Sequence, residues 1–550
     1  MIANTTVEDV DVIVLGAGAA GLTAALAAHE AGASVAVLEK AAVVGGTTAM
    51  SGGVVWVPDS APMREAGLED DRGAARRYIA RLAEGRGDEA LIDRYLESAP
   101  QMVDFVHTHT DVRFTSLATY PDYHPEFPGG AAGGRSLDNE LFDPAELGEW
   151  AGRLRRNPVN GRSPITIREA VAWKVFARPM SIPFKTVVGR ARAGIVHGGA
   201  ALAGRLLRAC LDRDILPRLG TPARELITDA RGRVVGVVAE DPDGRRLTVR
   251  ARRGVILATG GFEWDEGLVR RFLRGVPTHP TSAPSCTGDG LRMAMRLGAD
   301  LGNMSEAWWC PAVEVPGERY DARPMSRAEF AARCLPHSLI VNRAGRRFVN
   351  EACNYNDVVR PMFDFDPVRF ERPNLPCWLI VDQRFMERYI LVTAVPGRPA
   401  PDWIARADSA RQLAAQLGVD PDGLEATLAR FNRFADQGRD DDFQRGESAF
   451  ERFYGDPDQR PNPNLGRLAE PPFYAVELKP GTIGTKGGPR VDGDGRVLHV
   501  DGHAIAGLYA AGNVMASVMG PGYPGAGSTI GVAMTWGWLA ARHAASEPSS

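Results

Sequence analysis

A single phenol in a glycine-rich stretch near the C-terminus is the side chain of this sequence best placed to do chemistry. Tyr523 lies in the run GPGYPGAGSTIG at 520–531, which follows GLYAAGN at 507–513 and leads into a helical run at 531–545. A tyrosine hydroxyl and a free backbone N–H held by such a loop are two donors that can converge on one carbonyl oxygen. The stretch predicts an oxyanion site beside a bound cofactor. The alternative is a surface loop whose glycines serve turn geometry alone.

A second glycine-rich motif, near the N-terminus, favours the first interpretation. The run VIVL at 12–15 has the composition of a buried strand, GAGAAG follows at 16–21, and an apolar helical run occupies 22–29. Strand, glycine-rich turn and helix is the order in which dinucleotide-binding folds present a helix N-terminus to a pyrophosphate.

The glycines of this motif have separate tasks. Gly16 allows the tight turn, Gly18 lets the backbone approach a pyrophosphate, and Gly21 lets helix and strand pack closely. A second strand at 35–38 ends at Glu39, an acid placed to accept hydrogen bonds from a ribose. The G-x-G-x-x-G motif alone is weak evidence for a function. Together with the two strands and Glu39 it predicts dinucleotide binding, and the alternative is a tight packing turn.

The segments after this acid favour FAD over NAD. A long flexible loop continues through 40–46 and the Gly/Thr/Ser-rich run 47–53, which suits a cofactor that extends across the protein. Later, 221–229 and 234–240 have the pattern of a hairpin, and 254–262 has that of a buried strand ending in glycines.

Composition agrees with a globular enzyme. The chain has 550 residues, of which 44% are hydrophobic and 24% charged, so it can bury more than one core. The net charge of -4 gives no reason to expect nucleic acid. Six cysteines are scattered without C-x-x-C spacing, so neither a disulfide framework nor a metal site is predicted. With an acidic N-terminus that is not a signal peptide, these features predict a cytoplasmic protein.

The segment at 140–195, which precedes a helix predicted at 198–211, mixes apolar and cationic side chains. Such a mixture can lie on a membrane interface, which would add peripheral contact with the inner face of the cell membrane. The alternative is a lid or packing excursion with ordinary charged edges. Farther on, the polar run at 436–445 is predicted to be a solvated loop within a helical region. The mixed segment contains Trp150, Trp173, Phe176, Met180, Ile182, Pro183, Phe184, Val187 and Val188, with Arg153, Arg155, Arg156, Lys174, Arg178, Lys185 and Arg190 interleaved.

Together, the motifs resemble those of the fumarate reductase/succinate dehydrogenase flavoprotein superfamily. They lie at 16–21, 45–53, 288–290, 507–513 and 523–531 and cover nearly the whole chain. Within the superfamily, the chain is most similar to the 3-ketosteroid Δ1-dehydrogenases. The narrower resemblance rests on YPDYHPE at 120–126 with Gly129, Gly130 and GGR at 133–135, on RFVNEACNY at 347–355, and on YPGAG at 523–527.

The resemblance implies an α/β fold: a Rossmann-like FAD-binding domain with an inserted α+β catalytic domain. The FAD-binding domain would comprise two separated segments, 1–314 and 484–550. The catalytic domain would occupy 315–483.

The resemblance also implies roles for individual residues. The donors to the substrate carbonyl fall on the Tyr523 hydroxyl and the Gly527 amide, and the proton-abstracting tyrosine falls on Tyr355. Tyr123 would assist Tyr355 by a hydrogen bond that favours the phenolate, because a phenol is a poor base at its reference pKa of about 10. Tyr120 lies three positions away and could exchange roles with Tyr123. The alternative for each tyrosine is a packed ring with one hydrogen-bonded tip.

A further set of residues is implied to bind FAD. The set is Gly16, Gly18, Ala19, Ala20, Gly21, Glu39, Lys40, Gly46, Thr47, Thr48, Ser51, Gly52, Gly53, Arg224, Glu225, Leu226, Ala258, Thr259, Gly260, Asp289, Gly512, Asn513, Ser528, Thr529 and Ile530.

The implied activity is FAD-dependent 1,2-desaturation of the A ring of a 3-ketosteroid, with a quinone or another redox carrier as electron acceptor. Because 47–53 contains no histidine, FAD is expected to be non-covalent. His279 and Arg360 keep a carboxylate-binding, fumarate-type ene-reductase open. A 4(5)-desaturating steroid dehydrogenase and a flavin-binding protein without turnover also stay open on the sequence.

Overall fold

The structure is a computed structural model that describes residues 6–159, 161, 163–274 and 278–548. Its strands are β1 (Thr6–Leu15), β2 (Val35–Leu38), β3 (Val55–Trp56), β4 (Phe114–Ser116), β5 (Ser136–Asn139), β6 (Ala223–Thr228), β7 (Val234–Glu240), β8 (Arg246–Leu257), β9 (His279–Pro280), β10 (Leu301–Gly302), β11 (Ala307–Tyr320), β12 (Arg323–Ala328), β13 (Ser338–Asn342), β14 (Cys377–Val381), β15 (Ala405–Ala407), β16 (Phe473–Thr485), β17 (Gly488–Pro489), β18 (Arg496–Leu498) and β19 (Ala504–Ala510).

The α-helices are connected by loops and short 3₁₀ turns. They are α1 (Ala19–Glu30), α2 (Ala61–Glu65), α3 (Arg72–Leu82), α4 (Glu89–His109), α5 (Ile167–Ala172), α6 (Phe184–Arg192), α7 (Gly198–Leu211), α8 (Glu266–Phe272), α9 (Asp289–Arg296), α10 (Tyr355–Val359), α11 (Gln383–Arg388), α12 (Ala410–Leu417), α13 (Pro421–Gln437), α14 (Ala449–Tyr454) and α15 (Ser528–Ser546). The 3₁₀ turns are Thr48–Met50, Pro144–Arg153, Pro179–Ser181, Ala332–Cys334, Arg360–Phe363 and Gly512–Val514.

The first sheet joins the two ends of the chain. Its strands run in the order β18–β19–β8–β1–β2, and β1 pairs in parallel with both β2 and β8. The C-terminal strand β19 extends this parallel arrangement by pairing with β8. The hairpin of β6 and β7 adds an antiparallel edge to β8, as the sequence predicted. The parallel pairing of β19, β8, β1 and β2, with helices packed beside the sheet, confirms the predicted α/β fold.

Helices α1 and α15 pack against each other beside this sheet. Residues 19–28 of α1 are all buried, which explains why that helix is apolar on every side. Gly537 of α15 allows the close approach, since a Cβ there would lie 2.4 Å from the carbonyl oxygen of Ala20. The contact fixes the direction of α15 and thereby places its N-terminus, which follows the Tyr523 loop.

The second sheet lies in the middle of the chain. Its strands run in the order β12–β11–β16–β14–β13, with β15 and β9 also pairing with β16. Strand β13 sends Ile340 into one apolar core and Leu339 and Val341 into another, so both faces of the sheet are covered. The predicted domain boundaries at 315 and 483 fall within β11 and β16, and the domain limits remain a prediction.

The prediction of a solvated loop at 436–445 was wrong for two of its charged residues. Asp440 and Arg445 are fully buried. Asp440 Oδ2 lies 2.7 Å from Arg347 Nη2, and Arg445 Nη1 lies 3.2 Å from Glu351 Oε2. Buried charged groups need partners: Asp440 of this loop supplies one to Arg347, and Arg445 of the loop finds one in Glu351.

The segment that the sequence associated with a membrane interface is partly exposed. The side chains of Met180 and Phe184 are 83% and 74% exposed. Among the described residues, no helix combines the length and apolar character needed to cross a membrane.

Candidate active site

Three tyrosine rings from distant parts of the chain meet in the interior. Tyr123, Tyr355 and Tyr523 are all buried, and the ring centroid of Tyr123 lies 5.2 Å from that of Tyr355 and 5.0 Å from that of Tyr523. The Tyr123 hydroxyl donates to the Tyr355 hydroxyl across 2.6 Å. The three tyrosines among the four residues that the resemblance implies to be catalytic are therefore brought together.

Tyr120 has a different partner. Its hydroxyl lies 2.5 Å from the hydroxyl of Tyr454, a residue of α14. Of the two tyrosines between which the sequence could not decide, Tyr123 contacts Tyr355 through its hydroxyl. The assisting role of Tyr123 stays a prediction.

The loop that carries Tyr123 is tied to the loop that carries Tyr523. The Tyr123 amide donates to the Pro524 carbonyl at 2.9 Å, and the Tyr78 hydroxyl donates to the same oxygen at 2.7 Å. The Tyr78 oxygen in turn accepts from the His124 amide at 3.0 Å. Helix α3, which contains Tyr78, thus fixes both loops through one carbonyl.

A buried carboxylate braces this junction. Asp122 accepts from Trp56 Nε1 at 2.7 Å and from Arg135 Nη1 at 2.8 Å. Burial raises the pKa of Asp122 to about 6, while the charge of Arg135 works to lower it. Gly525 passes close to the Trp56 ring, where a Cβ would lie 2.6 Å from Cδ1. A side chain at this position would displace the ring.

The base candidate Tyr355 is held at the start of α10. Asn354 caps the helix by accepting from the Asp357 amide at 3.1 Å. The buried guanidinium of Arg333 donates to the Cys353 carbonyl at 2.6 Å, and the Phe330 ring packs 4.7 Å from that of Tyr355. These contacts limit the positions that the Tyr355 hydroxyl can take.

Burial and hydrogen bonding act in opposite directions on the tyrosine hydroxyls. Burial raises the pKa of Tyr355 well above its usual value, and the hydrogen bond from Tyr123 works to lower it. Burial also raises the pKa of Tyr523, whose hydroxyl lies 3.1 Å from Thr529 Oγ1. In the protein alone, the proton therefore stays on Tyr355, and the Tyr123 hydrogen bond is the contact that favours its loss.

Gly527 stands at the entrance to α15. It is the N-cap of that helix in a left-handed conformation, with φ 95°, and no side chain caps the helix. A Cβ on Gly527 would lie 2.5 Å from the Val54 carbonyl oxygen. Only glycine fits this turn without moving neighbouring backbone.

The N-terminal glycine motif forms a shallow backbone cradle. Gly16 has φ 109°, and a Cβ there would lie 2.3 Å from the Ala258 carbonyl oxygen. A Cβ on Gly21 would lie 1.9 Å from the Gly16 carbonyl oxygen. Gly18 is the N-cap of α1 and has no side chain to cap it; the Ala19 amide donates to Thr48 Oγ1, which leaves the next N–H groups of the first turn for an anion.

Glu39 lies at the end of β2 as the sequence predicted. Its carboxylate accepts from the amides of Ala17 at 2.8 Å and Ala41 at 2.7 Å. Burial raises the pKa of Glu39, and these two amides work to lower it. Each carboxylate oxygen retains a lone pair for a ribose hydroxyl.

The Gly/Thr/Ser loop packs against the cradle and against α7. Thr48 Oγ1 accepts from the Ala19 amide at 3.0 Å, and Thr47 Oγ1 accepts from the Ala283 amide at 3.2 Å. Gly53 runs so close to α7 that a Cβ would lie 2.2 Å from the Gly198 carbonyl carbon. The predicted residues Gly46, Ser51 and Gly52 belong to the same loop.

Two predicted cofactor residues from distant segments form an ion pair. Lys40 Nζ lies 2.6 Å from Asp289 Oδ2, at the start of α9, and also donates to Thr287 Oγ1 at 2.6 Å. The Thr259 hydroxyl, next to Gly260, is buried without a hydrogen-bond partner in the described part of the chain. An unpaired buried hydroxyl, a helix N-terminus that begins at a glycine and glycines that leave no room for a Cβ fit a bound FAD.

The C-terminal cofactor residues complete the cradle. Gly512 has φ 77° and comes within van der Waals distance of Ala20, since a Cβ on the glycine would lie 3.4 Å from that of Ala20. Asn513 Oδ1 accepts from Trp308 Nε1 at 3.1 Å. Ser528 and Ile530 are buried in the first turn of α15.

Two of the predicted cofactor residues direct their side chains elsewhere. Arg224 Nη2 lies 2.8 Å from Glu240 Oε2, and Arg246 Nη2 lies 3.5 Å from Glu225 Oε2, both on the surface of the hairpin. Leu226 packs against the core. The side chains of these β6 residues are thus engaged elsewhere. It remains a prediction that β6 contacts FAD, and the contact would be made by its backbone.

His279 and Arg360, which left a carboxylate-binding site as an alternative on the sequence, also have partners. His279 Nδ1 lies 2.9 Å from Glu314 Oε1, and Arg360 Nη2 lies 3.7 Å from Glu84 Oε2. Sequence reasoning missed Trp308, whose ring centroid lies 4.6 Å from that of Tyr523. It also missed Asn139, whose side-chain amide donates to the Gly53 carbonyl at 2.9 Å. Neither residue lies in a motif, so no local signal marked them.

Comparison with known proteins agrees with this site. The family model for an FAD binding domain matches residues 11–530. A 4-oxocyclohexanecarboxylate 2-dehydrogenase of Sinomonas cyclohexanicum is 42% identical, over 97% of this chain and 92% of its own. A 3-oxosteroid 1-dehydrogenase of Mycobacterium tuberculosis is 41% identical, over 98% of this chain and 99% of its own.

Among solved structures, a 3-ketosteroid Δ1-dehydrogenase from Sterolibacterium denitrificans, in complex with 1,4-androstadiene-3,17-dione, is similar throughout. It shares 36% sequence identity and superposes with a TM-score of 0.91, covering 98% of this chain and 99% of the other. The chain belongs to the FAD binding domain family and, within it, to the FAD-dependent oxidoreductases that include the 3-oxosteroid 1-dehydrogenases.

Proposed function

We propose that this enzyme introduces a double bond between C1 and C2 of the A ring of a 3-ketosteroid. The observation that carries the proposal is the 2.6 Å hydrogen bond from Tyr123 to Tyr355 beside the ring of Tyr523. Such a cluster supplies a base, a group that supports the base, and a donor for a ketone oxygen. The 41% identity to a 3-oxosteroid 1-dehydrogenase supports the choice of substrate.

The residues divide the reaction between them. Hydrogen bonds from the Tyr523 hydroxyl and the Gly527 amide to the C3 oxygen stabilise the developing enolate and acidify C2. Tyr355 must first lose its own proton to solvent, which the hydrogen bond from Tyr123 favours, and its oxygen then accepts the proton from C2. Bound FAD supplies the acceptor for the hydride lost from C1. Loss of one proton and one hydride leaves the C1–C2 double bond, and the proton on Tyr355 must pass to solvent before the next turnover.

A second substrate class is supported by one relative. The Sinomonas cyclohexanicum enzyme, at 42% identity, is a 4-oxocyclohexanecarboxylate 2-dehydrogenase. Its substrate and a 3-ketosteroid both contain a cyclic ketone next to a saturated carbon pair, so the same clamp and base would serve. The two candidates differ in what lies beyond that ring: further fused rings or a carboxylate.

The remaining parts of the proposal concern partners and location. We take a quinone or another redox carrier as the electron acceptor, and the cytoplasm as the location. The exposed side chains of Met180 and Phe184, next to Lys185, support peripheral contact with the inner face of the cell membrane.

Anaerobic bleaching of the flavin tests the function and separates the candidate activities. We expect a 3-ketosteroid with a saturated C1–C2 bond to reduce the flavin and to yield the 1,2-unsaturated product. Bleaching only by 4-oxocyclohexanecarboxylate would favour the second class. A product desaturated at C4–C5 would contradict the assigned position, and fumarate-dependent reoxidation of reduced flavin would indicate an ene-reductase. Flavin that every ketone leaves oxidised would indicate a binding protein.

A further inference from the structure

A buried lysine lies directly behind the Tyr523 loop. The Lys486 side chain is fully buried. Its Nζ donates to the carbonyl of Pro521 at 2.8 Å and to that of Gly522 at 2.6 Å. These carbonyls belong to the two residues that immediately precede Tyr523, so the ammonium group fixes the backbone from which the phenol projects.

The same nitrogen faces two aromatic rings of the site. Lys486 Nζ lies 4.2 Å from the ring centroid of Trp308 and 5.8 Å from that of Tyr523. The two rings are 4.6 Å apart at an interplanar angle of 62°. A cation within about 6 Å of an aromatic face is attracted to it, and the attraction is greatest where water is excluded.

Backbone contacts hold the lysine in this position. Its amide donates to the Glu306 carbonyl at 3.0 Å, and its own carbonyl accepts from the Ser517 amide at 2.9 Å. Gly487 follows against Met304, where a Cβ would lie 2.5 Å from the Met304 Cα. The backbone from which the lysine side chain projects is therefore held by contacts on both sides.

The ammonium has no carboxylate within 4.0 Å among the residues that the structure describes. Burial lowers the pKa of Lys486 to about 7; Glu306, Asp357 and Glu84 work to raise it, and Arg360 to lower it. Among these acids, Glu306 has the largest effect on the pKa of Lys486, and it is already paired with Arg274 at 2.7 Å. A buried cation without its own counter-ion is costly, and such groups occur preferentially at functional sites.

We propose that Lys486 is a positioning residue for the carbonyl clamp: its ammonium group orients Tyr523 and strengthens the hydrogen bond from Tyr523 as negative charge develops on the substrate oxygen. The inference rests on the proposed function, since it assumes that Tyr523 binds a ketone. Lys486 touches the loop and the ring of Tyr523 and acts through them. Its charge favours the enolate over the ketone, so it contributes more to turnover than to substrate binding.

Two substitutions separate the charge from the donor. Lys486→Met removes both, and Lys486→Gln keeps an N–H donor for the loop carbonyls without the charge. We expect Lys486→Met to retain FAD and to lower kcat about tenfold near neutral pH, with a smaller change in KM. Lys479→Met is the matched control, because Lys479 lies in β16, which ends one residue before Lys486, and pairs with Glu477, 3.2 Å away.

The pH profile provides a measurement that a purely structural role would not alter. The charged form of Lys486 is the effective one, so its contribution is present below its pKa of about 7 and lost as pH rises. The ratio of kcat/KM between wild type and Lys486→Met should therefore be largest near about pH 6 and decrease towards about pH 9. Lys486→Gln should match wild type at the high end of that range. A constant ratio, or unchanged kcat in Lys486→Met, would overturn the proposal.

Binding of substituted phenols tests the inference without turnover. A phenol presents its oxygen to the clamp as an enolate does, and affinity should rise as the phenol becomes more acidic. We expect a shallower dependence of affinity on phenol acidity in Lys486→Met than in wild type; equal slopes would contradict the proposal. If Lys486→Met fails to load FAD, Lys486→Gln and the pH dependence of phenol affinity in wild type give the same comparison. Absence of ketone desaturation with unequal phenol slopes would reject the proposed function and keep the role of Lys486.

Discussion

His124 Nε2 lies 2.6 Å from Asp357 Oδ2, and this ion pair joins the two segments that carry Tyr123 and Tyr355. His124 directly follows Tyr123, and Asp357 lies two residues after Tyr355 in α10. Asn354 Nδ2 also donates to Asp357 Oδ2 at 2.8 Å. The partly buried His124–Asp357 pair thus helps to hold the Tyr123 and Tyr355 hydroxyls within hydrogen-bond distance.

The first prediction concerns the pH range of this pair. Burial works to lower the pKa of His124, but the hydrogen bonds and charges of Asp357 and Glu126 outweigh it and raise the pKa to about 9. A raised histidine pKa stabilises the fold fully below the unfolded value of about 6.5, and the stabilisation is lost as pH rises through the folded value. We expect His124→Gln to lower Tm at pH 6 and to have little effect above pH 9.

The low-pH limit of the His124–Asp357 ion pair is set by Asp357. The pKa of Asp357 is lowered because the interaction with His124 outweighs burial. The pair should therefore persist through mild acid. Since Tyr123 and Tyr355 lose alignment, desaturation should also fall about tenfold in His124→Gln at pH 7. His109→Gln, which removes a histidine 3.3 Å from Glu30, is the control. A Tm difference that is the same at pH 6 and above pH 9 would contradict the assignment.

The second prediction concerns the base. Tyr355→Phe removes one oxygen and keeps the ring that packs against Phe330, so FAD content and Tm should change little. Steady-state desaturation should fall by about a hundredfold to ten-thousandfold. Near-normal turnover in the folded, flavin-loaded variant would exclude Tyr355 as the base.

The third prediction separates Tyr123 from Tyr120. Tyr123→Phe removes the donor to the Tyr355 oxygen, which should raise the pKa of Tyr355 and move the acid limb of kcat/KM to higher pH. The loss of rate should be about tenfold to a hundredfold. Tyr120→Phe removes the contact with Tyr454 and keeps the hydrogen bond from Tyr123 to Tyr355, so it should leave the acid limb in place. The reverse result would exchange the roles of the two tyrosines.

The fourth prediction concerns the cofactor. The glycine cradle, Glu39 and the Lys40–Asp289 pair are non-covalent contacts, and the loop at 47–53 contains no histidine. The purified protein should be yellow and should release its FAD on acid precipitation. Flavin that stays with the denatured chain would show a covalent bond and contradict this expectation.

Local patterns predicted the cofactor fold well because its elements are defined by neighbours in sequence. The strand before Gly16 ends at Leu15, as predicted, and the helix predicted at 198–211 has these bounds in the structure. Helix α15 begins three residues before the predicted start at 531, because Gly527 caps it in a conformation that sequence periodicity does not reveal.

Contacts between distant segments were harder to predict. The resemblance implied that Tyr123, Tyr355 and Tyr523 share one site. The partner of His124 and the position of Lys486 behind the Tyr523 loop are known only from the three-dimensional structure. Asp440 was taken for a solvated residue because its neighbours in sequence are charged. Its burial depends on Arg347, 93 positions away, which one-dimensional patterns do not connect to it.

The last prediction concerns the carbonyl clamp, on which the assignment to ketones depends. Tyr523→Phe keeps the ring contacts with Trp308 and Tyr355 and removes only the hydroxyl. Because the hydrogen bond strengthens as charge moves onto the substrate oxygen, the loss should affect kcat more than substrate binding. Removing one donor to a developing oxyanion typically costs about 3–4 kcal/mol, or roughly two to three decades in rate. FAD content should remain that of the wild type, since Tyr523 faces the tyrosine cluster.

A 3-keto steroid and its 3-hydroxy analogue provide the control for this prediction. The wild-type enzyme should desaturate only the ketone, because the alcohol cannot form an enolate. Equal rates on ketone and alcohol, or an unaltered kcat in Tyr523→Phe, would mean that the glycine-rich loop is not an oxyanion site. The ketone assignment would then lose its main physical support, while the FAD site would be unaffected.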